Sequence, residues 1–263
     1  MKEKYNLHTH TVYSDGNNTP EELVKEAIER GFSALGFSGH SNTFDMPISM
    51  SHESARIYRR VIGELKEKYK RSIRIYTGVE QDVYETEPTD EYDYVIASVH
   101  YLKLDGEYLP IDDTAPRFER LLSLAGGGIA LARNYFELVG NTLEYTRADI
   151  IGHFDLLTKF NGDGKYFDEN DPDYLKCAAD AMEKLRHIPF EVNTGAVSRG
   201  YKKCPYPSLT LLKMLRDMGG KVVYSSDCHS KEFLDCAYDD ALEYIRAAGF
   251  KDFLAFDEIK EWK

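Results

Sequence analysis

Six of the eight histidines of this chain fall at the ends of short apolar runs: His8 and His10, His40, His100, His153 and His229. Glu80 and Asp227 close two such runs in the same way. His8 and His10 are two residues apart, as are Asp227 and His229, so on a β-strand each pair points to one side. A single histidine at a strand end is usually a hydrogen-bonded structural residue. Six at equivalent ends, with carboxylates beside them, form a set of metal ligands, because neutral imidazoles and carboxylates are good donors for first-row divalent ions. The same cluster without metal would repel itself on partial protonation. His52, within a helical pattern, and His187, ahead of an apolar run, break the arrangement and are expected to be structural.

Such residues converge only if the fold brings those ends together. Near-continuous apolar runs with β-branched residues predict buried parallel strands over 4–10, 34–41, 74–82, 94–101, 149–155, 188–194 and 221–229. Amphipathic helices are predicted over 19–30, 50–70, 116–144, 172–186, 208–218 and 236–248. Thr19, Pro20 and Glu22 form a capping-box start for the first helix, and Gly31 stops it. Ala125-Gly126-Gly127-Gly128 predicts a break between two helices inside the long third segment. Alternating β and α elements imply a parallel sheet with right-handed crossovers. No linker or change in composition divides the chain, so residues 1–263 are expected to form a single domain, an α/β barrel of seven or eight units. The segment 253–262 is expected to add a short eighth strand or a cap. In a parallel barrel the C-terminal strand ends share one face, where active sites are built.

The motifs that carry the candidate ligands run the length of the chain. They are His8-Thr9-His10-Thr11 with Ser14-Asp15-Gly16, Gly36-Phe37-Ser38-Gly39-His40-Ser41, Gly78-Val79-Glu80 and Ser98-Val99-His100. Gly152-His153-Phe154-Asp155-Leu156, Glu191-Val192-Asn193-Thr194-Gly195 and Ser225-Ser226-Asp227-Cys228-His229 follow. In these stretches the sequence resembles the PHP family, named for polymerase and histidinol phosphatase domains, and within it most resembles the L-histidinol-phosphate phosphatase branch.

That resemblance implies a distorted (β/α)7 TIM-like barrel with a trinuclear metal site. It would place one ion on His8, His10, Glu80 and Asp227, a second on Glu80, His100 and His153, and a third on Asp15, His40 and His229. Many family members carry His where this chain has Asp15; the carboxylate adds negative charge and favours harder ions. Two to three divalent transition-metal ions are therefore expected, with zinc, manganese and iron all suited to mixed imidazole and carboxylate donors. The implied chemistry is hydrolysis of a phosphate monoester by a metal-bridging hydroxide, with L-histidinol phosphate as the expected substrate and histidine biosynthesis as its setting. The expected catalytic groups are Glu80, Asp15, Asp227 and His229. A PHP phosphoesterase acting on nucleotides or oligonucleotides, and a non-catalytic module stabilised by metal, are the competing readings.

A substrate dianion should also meet a protein cation. Arg199, in the loop after the sixth strand, and Lys159, just past His153, are the candidates, because Arg binds phosphate bidentately and both lie on the catalytic face. Asn193 and Glu191 end the sixth strand, and either hold substrate amines or satisfy neighbouring backbone. A net charge of −12, from 33 basic and 45 acidic residues, speaks against long nucleic acid as a partner. No run of about 18 apolar residues predicts a membrane span. The residues after Met1 lack the apolar core of a signal peptide. The four cysteines Cys177, Cys204, Cys228 and Cys236 lack CxxC spacing, which predicts a reduced, cytoplasmic protein.

Overall fold

The computed structural model describes residues 3–44, 46, 48–85 and 87–262. Its strands are β1 (Tyr5–Asn6), β2 (Ala34–Phe37), β3 (Arg74–Asp82), β4 (Tyr94–Ser98), β5 (Tyr101–Leu104), β6 (Glu107–Pro110), β7 (Ile150–Ile151), β8 (Phe190–Asn193) and β9 (Val222–Ser225). Its helices are α1 (Pro20–Glu29), α2 (His52–Tyr69), α3 (Ala115–Ala125), α4 (Gly128–Gly140), α5 (Pro172–Leu185), α6 (Gly195–Ser198), α7 (Leu209–Asp217), α8 (Tyr238–Ala247) and α9 (Phe256–Trp262). Seven strands pair in the order β1-β2-β3-β4-β7-β8-β9, all parallel. The ring closes where Thr9 bridges Cys228: the His10 amide donates to the Cys228 carbonyl (2.9 Å) and the Cys228 amide to the His8 carbonyl (3.3 Å).

Most strands are shorter than the apolar runs that encode them. β1 ends at Asn6 because the Asn6 side chain stands in for a strand partner: its Oδ1 accepts from the His8 and Ser226 amides (3.1 and 3.2 Å), and its Nδ2 donates to Ser226 Oγ (2.6 Å). His8 and His10 therefore lie past the end of β1, held by the single bridge from Thr9 to Cys228. β3 keeps its full predicted span, and its pairing with the β2 side extends beyond Phe37 through the His40–Glu80 bridge.

Strand alternation sorts the core. Ala34, Tyr94 and Ile96 pack toward the barrel interior, while Leu35, Phe37, Val79 and Val95 pack outward with Leu23 and Val24 of α1 and Tyr58 and Ile62 of α2. Tyr94 fills the interior, and its hydroxyl donates to the Leu7 and Phe37 carbonyls. Gly36 and Gly78 make room for it, since a Cβ at either position would come within 2.3 Å of the tyrosine side chain. The long third helical segment is split as expected: Gly126 and Gly127 take φ of 85° and 110°, which end α3 and start α4 on a new axis.

The C-terminal segment takes one of its two expected forms, and a hairpin departs from the sequence expectation. The segment 253–262 adds no eighth strand. It forms the cap that was the alternative: Phe256 of α9 stacks on Tyr76 at 3.7 Å and meets Tyr94 edge-on. The hairpin β5–β6 was not foreseen, although Asp105-Gly106 between two alternating runs is a strong hairpin signal. Both turn residues have positive φ (49° and 83°), as a type I′ turn requires. The hairpin leaves the barrel after His100 and returns to its mouth, where the Ile111 amide bonds the His100 carbonyl (2.8 Å).

Candidate metal centre

Glu80, near the end of β3, is the hub of the site. Its Oε1 lies 2.8 Å from His153 Nε2 and 3.3 Å from His100 Nε2; its Oε2 lies 3.0 Å from His40 Nδ1, 3.2 Å from His8 Nε2 and 3.5 Å from His10 Nε2. Asp227 Oδ1 stands 3.3 Å from His10 Nε2 and 3.6 Å from His8 Nε2. Asp15 Oδ2 stands 3.0 Å from His229 Nε2 and 3.6 Å from His40 Nε2. All nine expected ligands thus lie in one cluster. Three subsets bring their donor atoms within 4.8 Å of one another: His8, His10 and Asp227; His40, Glu80 and His100; and His10, Asp15, His40 and His229. The first and last overlap the expected first and third ion sites, with His10 reaching into both. The second joins Glu80 and His100, as expected, to His40 in place of His153.

The donor set fits cations. Among the described residues, His8 Nε2, His10 Nε2 and Glu80 Oε2 are buried with no hydrogen-bond partner, although they lie within 3.6 Å of opposing groups. Unpaired buried lone pairs aimed at one another are costly unless a cation sits among them. The far nitrogens explain the orientation. His8 Nδ1 pairs with Glu191 Oε1 (2.7 Å) and His10 Nδ1 with Asp15 Oδ1 (2.9 Å), which leaves each Nε2 to point inward as a ligand. Asp82 Oδ2 lies 3.4 Å from His100 Nδ1 and accepts the His100 backbone amide (2.9 Å). Asp82 and Ser98, whose hydroxyl donates to Glu80 Oε1 (2.7 Å), were given no role in the site by sequence, and Glu191 was expected to hold a substrate amine or satisfy neighbouring backbone, not to stand behind a ligand histidine. Period-two alternation marks them, since each sits two residues from another inward-facing site residue: Glu191 from Asn193, Asp82 from Glu80, Ser98 from His100.

Glycines fix the approach. A Cβ on Gly16 would lie 2.5 Å from the His10–Thr11 peptide, so only glycine lets the turn fold Asp15 back onto His10. A Cβ on Gly195 would lie 2.6 Å from Asp227 Oδ2 and 2.8 Å from Arg199 Nη2. Asp227 itself takes φ of 48°, the left-handed region that is strained for a residue with a side chain.

The charges act on one another strongly. Burial opposes charge on His8, His40 and His100, but surrounding carboxylates outweigh it: Glu191 and Glu80 raise His8, Glu80 and Asp15 push His40 up to about 10, and Glu80 raises His100. Burial likewise opposes ionisation of Glu80 and Asp227, yet His8, His40 and His100 hold Glu80 well below the usual carboxylate range, and Arg199 and His8 do so for Asp227. The pocket is built for positive charge.

The cluster floors a cavity of about 400 Å³ whose wall includes Arg199 and Lys159. Arg199 Nη2 pairs with Asp227 Oδ2 (3.1 Å) and its Nη1 lies 3.0 Å from His229 Nδ1. Lys159 Nζ is held by the backbone and side-chain oxygens of Asp112. Asn193 is fully buried and both ends of its amide are taken: Nδ2 donates to Glu191 Oε2 (3.0 Å) and Oδ1 accepts from the Gly195 amide (2.8 Å). His52 lies on exposed α2 against Glu87, and His187 is exposed ahead of β8.

Removing the Glu191 carboxylate should be felt at the metal. Glu191→Gln is expected to weaken metal affinity by about 10- to 100-fold, the usual cost of losing a partner behind a metal-bound histidine. Competition with a chromogenic chelator measures it; an unchanged affinity would mean that His8 needs no such support.

The PHP domain family matches residues 6–195. The histidinol-phosphatase of Bacillus subtilis (strain 168) is 26% identical over 266 residues, covering 92% of this chain and 99% of that protein. A Deinococcus radiodurans protein named "Probable histidinol-phosphatase" is 30% identical, covering 92% of each chain. The fold is similar to that of a histidinol phosphate phosphatase from Lactococcus lactis subsp. lactis Il1403 complexed with zinc, L-histidinol and phosphate: TM-score 0.73 and 20% identity, covering 95% of each chain.

Proposed function

The chain belongs to the PHP domain family, and from that premise we propose that it is a metal-dependent phosphomonoesterase that hydrolyses L-histidinol phosphate to L-histidinol and phosphate. One observation carries the chemistry: among the described residues, the unpaired His8 Nε2, His10 Nε2 and Glu80 Oε2 face one another behind a cavity whose lining includes Glu80, Arg199 and Lys159. Divalent ions on the nine ligands His8, His10, Asp15, His40, Glu80, His100, His153, Asp227 and His229 would supply Lewis-acid charge to the phosphoryl oxygens and an activated water. Glu80 is the shared ligand, reaching His8, His40, His100 and His153. Asp15, Asp227 and His229 hold the side of the cluster nearest Arg199.

Around that centre the protein groups bind and orient. Arg199 offers a planar fork to the phosphate dianion, and its present partners Asp227 and His229 keep it at the cavity floor. Lys159 offers a second cation from the loop after the neighbouring strand β7, and Asn193 keeps Glu191 and the Gly195 turn in place. The family resemblance and four free thiols support a histidine-biosynthetic enzyme of the cytoplasm, and we read residues 1–263 as a single domain.

The direct test is phosphate release from L-histidinol phosphate by protein of measured metal content, alongside a panel of nucleoside monophosphates. Faster turnover of the nucleotides would transfer the assignment to a nucleotide phosphoesterase. Arg199→Ala is expected to lower kcat/KM by roughly 10- to 150-fold, the cost of a charge-assisted contact of about 1.5–3 kcal/mol. Metal content should hold, and inorganic phosphate should inhibit less by a comparable factor. Arg199→Lys should recover only part, because a point charge lacks the bidentate fork. Unchanged phosphate inhibition in Arg199→Ala would move the role to Lys159.

A further inference from the structure

The cavity wall holds an ion pair whose anion neither the metal cluster nor the phosphate requires. The β5–β6 hairpin delivers Asp112 to the barrel mouth, where its Oδ2 lies 3.1 Å from Lys159 Nζ. Lys159 in turn lies over the rings of Tyr201 and Phe160 and is one-tenth exposed, so both its position and its partner are fixed. The cavity is lined by five carboxylates. Asp15, Glu80 and Asp227 are taken by the imidazole cluster, and Asp113 pairs with Arg117 at 2.6 Å and is 43% exposed. Asp112 is the one that remains: it is 27% exposed at the cavity and its Oδ1 accepts no hydrogen bond among the described residues.

Lys159 and Asp112 thus present a cation and an anion side by side. A phosphate ester of an alcohol with an amine on the adjacent carbon presents the inverse, a dianion next to an ammonium. Arg199 lines the same cavity as the pair, so such an ester would match it with its phosphate toward Lys159 and Arg199 and its ammonium toward Asp112 Oδ1. We propose that Asp112 is the residue that selects the substrate, by binding an ammonium on the carbon next to the phosphate-bearing carbon, so that the site takes phosphomonoesters of β-amino alcohols. The proposal rests on the phosphomonoesterase reading above. An ester without the amine leaves Asp112 Oδ1 unpaired at the cavity wall while its phosphate engages Lys159, and a neutral pocket wall would not discriminate.

The experiment compares kcat/KM of the metal-loaded protein for L-histidinol phosphate and for 3-(imidazol-4-yl)propyl phosphate, which differ only in the amine. Wild-type protein should prefer the amine-bearing ester by roughly 10- to 150-fold, the value of a charged hydrogen bond. Asp112→Asn should bring the preference close to unity mainly by loss on the amine-bearing ester, with metal content unchanged. Asp113→Asn should keep the wild-type preference. Equal kcat/KM for the two esters in the wild-type protein overturns the proposal without any variant. Equal losses on both esters in Asp112→Asn overturn it too, leaving Asp112 as the support of Lys159 alone. Phosphate release from neither ester by loaded wild-type protein overturns the phosphomonoesterase reading and this proposal with it.

Discussion

Glu80→Gln should lower kcat by at least about 10³-fold with the fold intact, the largest effect of any single substitution in the site. The change keeps the shape of the side chain and removes its charge. Glu80 meets five imidazoles with its two oxygens, and the Ser98 hydroxyl holds it in place. A neutral amide is a weak ligand, and its NH₂ would face either His153 and His100 or His40, His8 and His10. More than one ion site therefore loses a ligand together. Elemental analysis should show fewer ions per chain, while circular dichroism and thermal unfolding stay near the parent. His52→Ala serves as the contrast: its ring lies on exposed α2 against Glu87, away from the cavity, and turnover should be nearly unchanged. Equal losses in the two variants would mean that position at a strand end does not distinguish ligand from bystander.

Stripping the metal should reduce phosphate release to background, and adding zinc, manganese or iron should restore it. Protein never exposed to chelator should hold two to three ions per chain; well under one would remove the basis of the mechanism. The protons supply an independent check. In the metal-free protein the carboxylates raise the pKa of His8, His40 and His100, His40 to about 10, so protons compete with metal for these nitrogens. A ligand nitrogen must lose its proton to bind, so loading should release protons and affinity should fall as pH drops. Calorimetry in buffers of different ionisation enthalpy reads the release directly. Loading without proton release at pH 7 would mean that the ligands are already neutral and that the carboxylates act on them more weakly than their distances imply.

Much of this was legible without coordinates, for identifiable reasons. A parallel strand buried on both faces is written as a continuous apolar run, so the seven barrel strands stand out. Polar ligands at the ends of such runs contradict the pattern locally, and their repetition at equivalent ends marks one face of a barrel. Gly126-Gly127 announced a helix break, because few other residues take positive φ without cost. The missed hairpin was legible too, in Asp105-Gly106, but two strands outside the barrel follow no barrel period.

What the sequence determined by itself was therefore the kind of fold, the ligand types and the end of the barrel that carries them, since these depend on local pattern and on a period of two. The tertiary structure alone decided how the ligands are used. That His8 and Glu191 meet at 2.7 Å across 183 residues, that His10 reaches into two donor groups, and that Asp112 leaves the hairpin to meet Lys159 are long-range contacts. They are set by barrel closure through Thr9 and Cys228 and by side chains such as Asn6 that end strands early. No periodicity encodes such contacts, because each depends on where two distant segments come to rest.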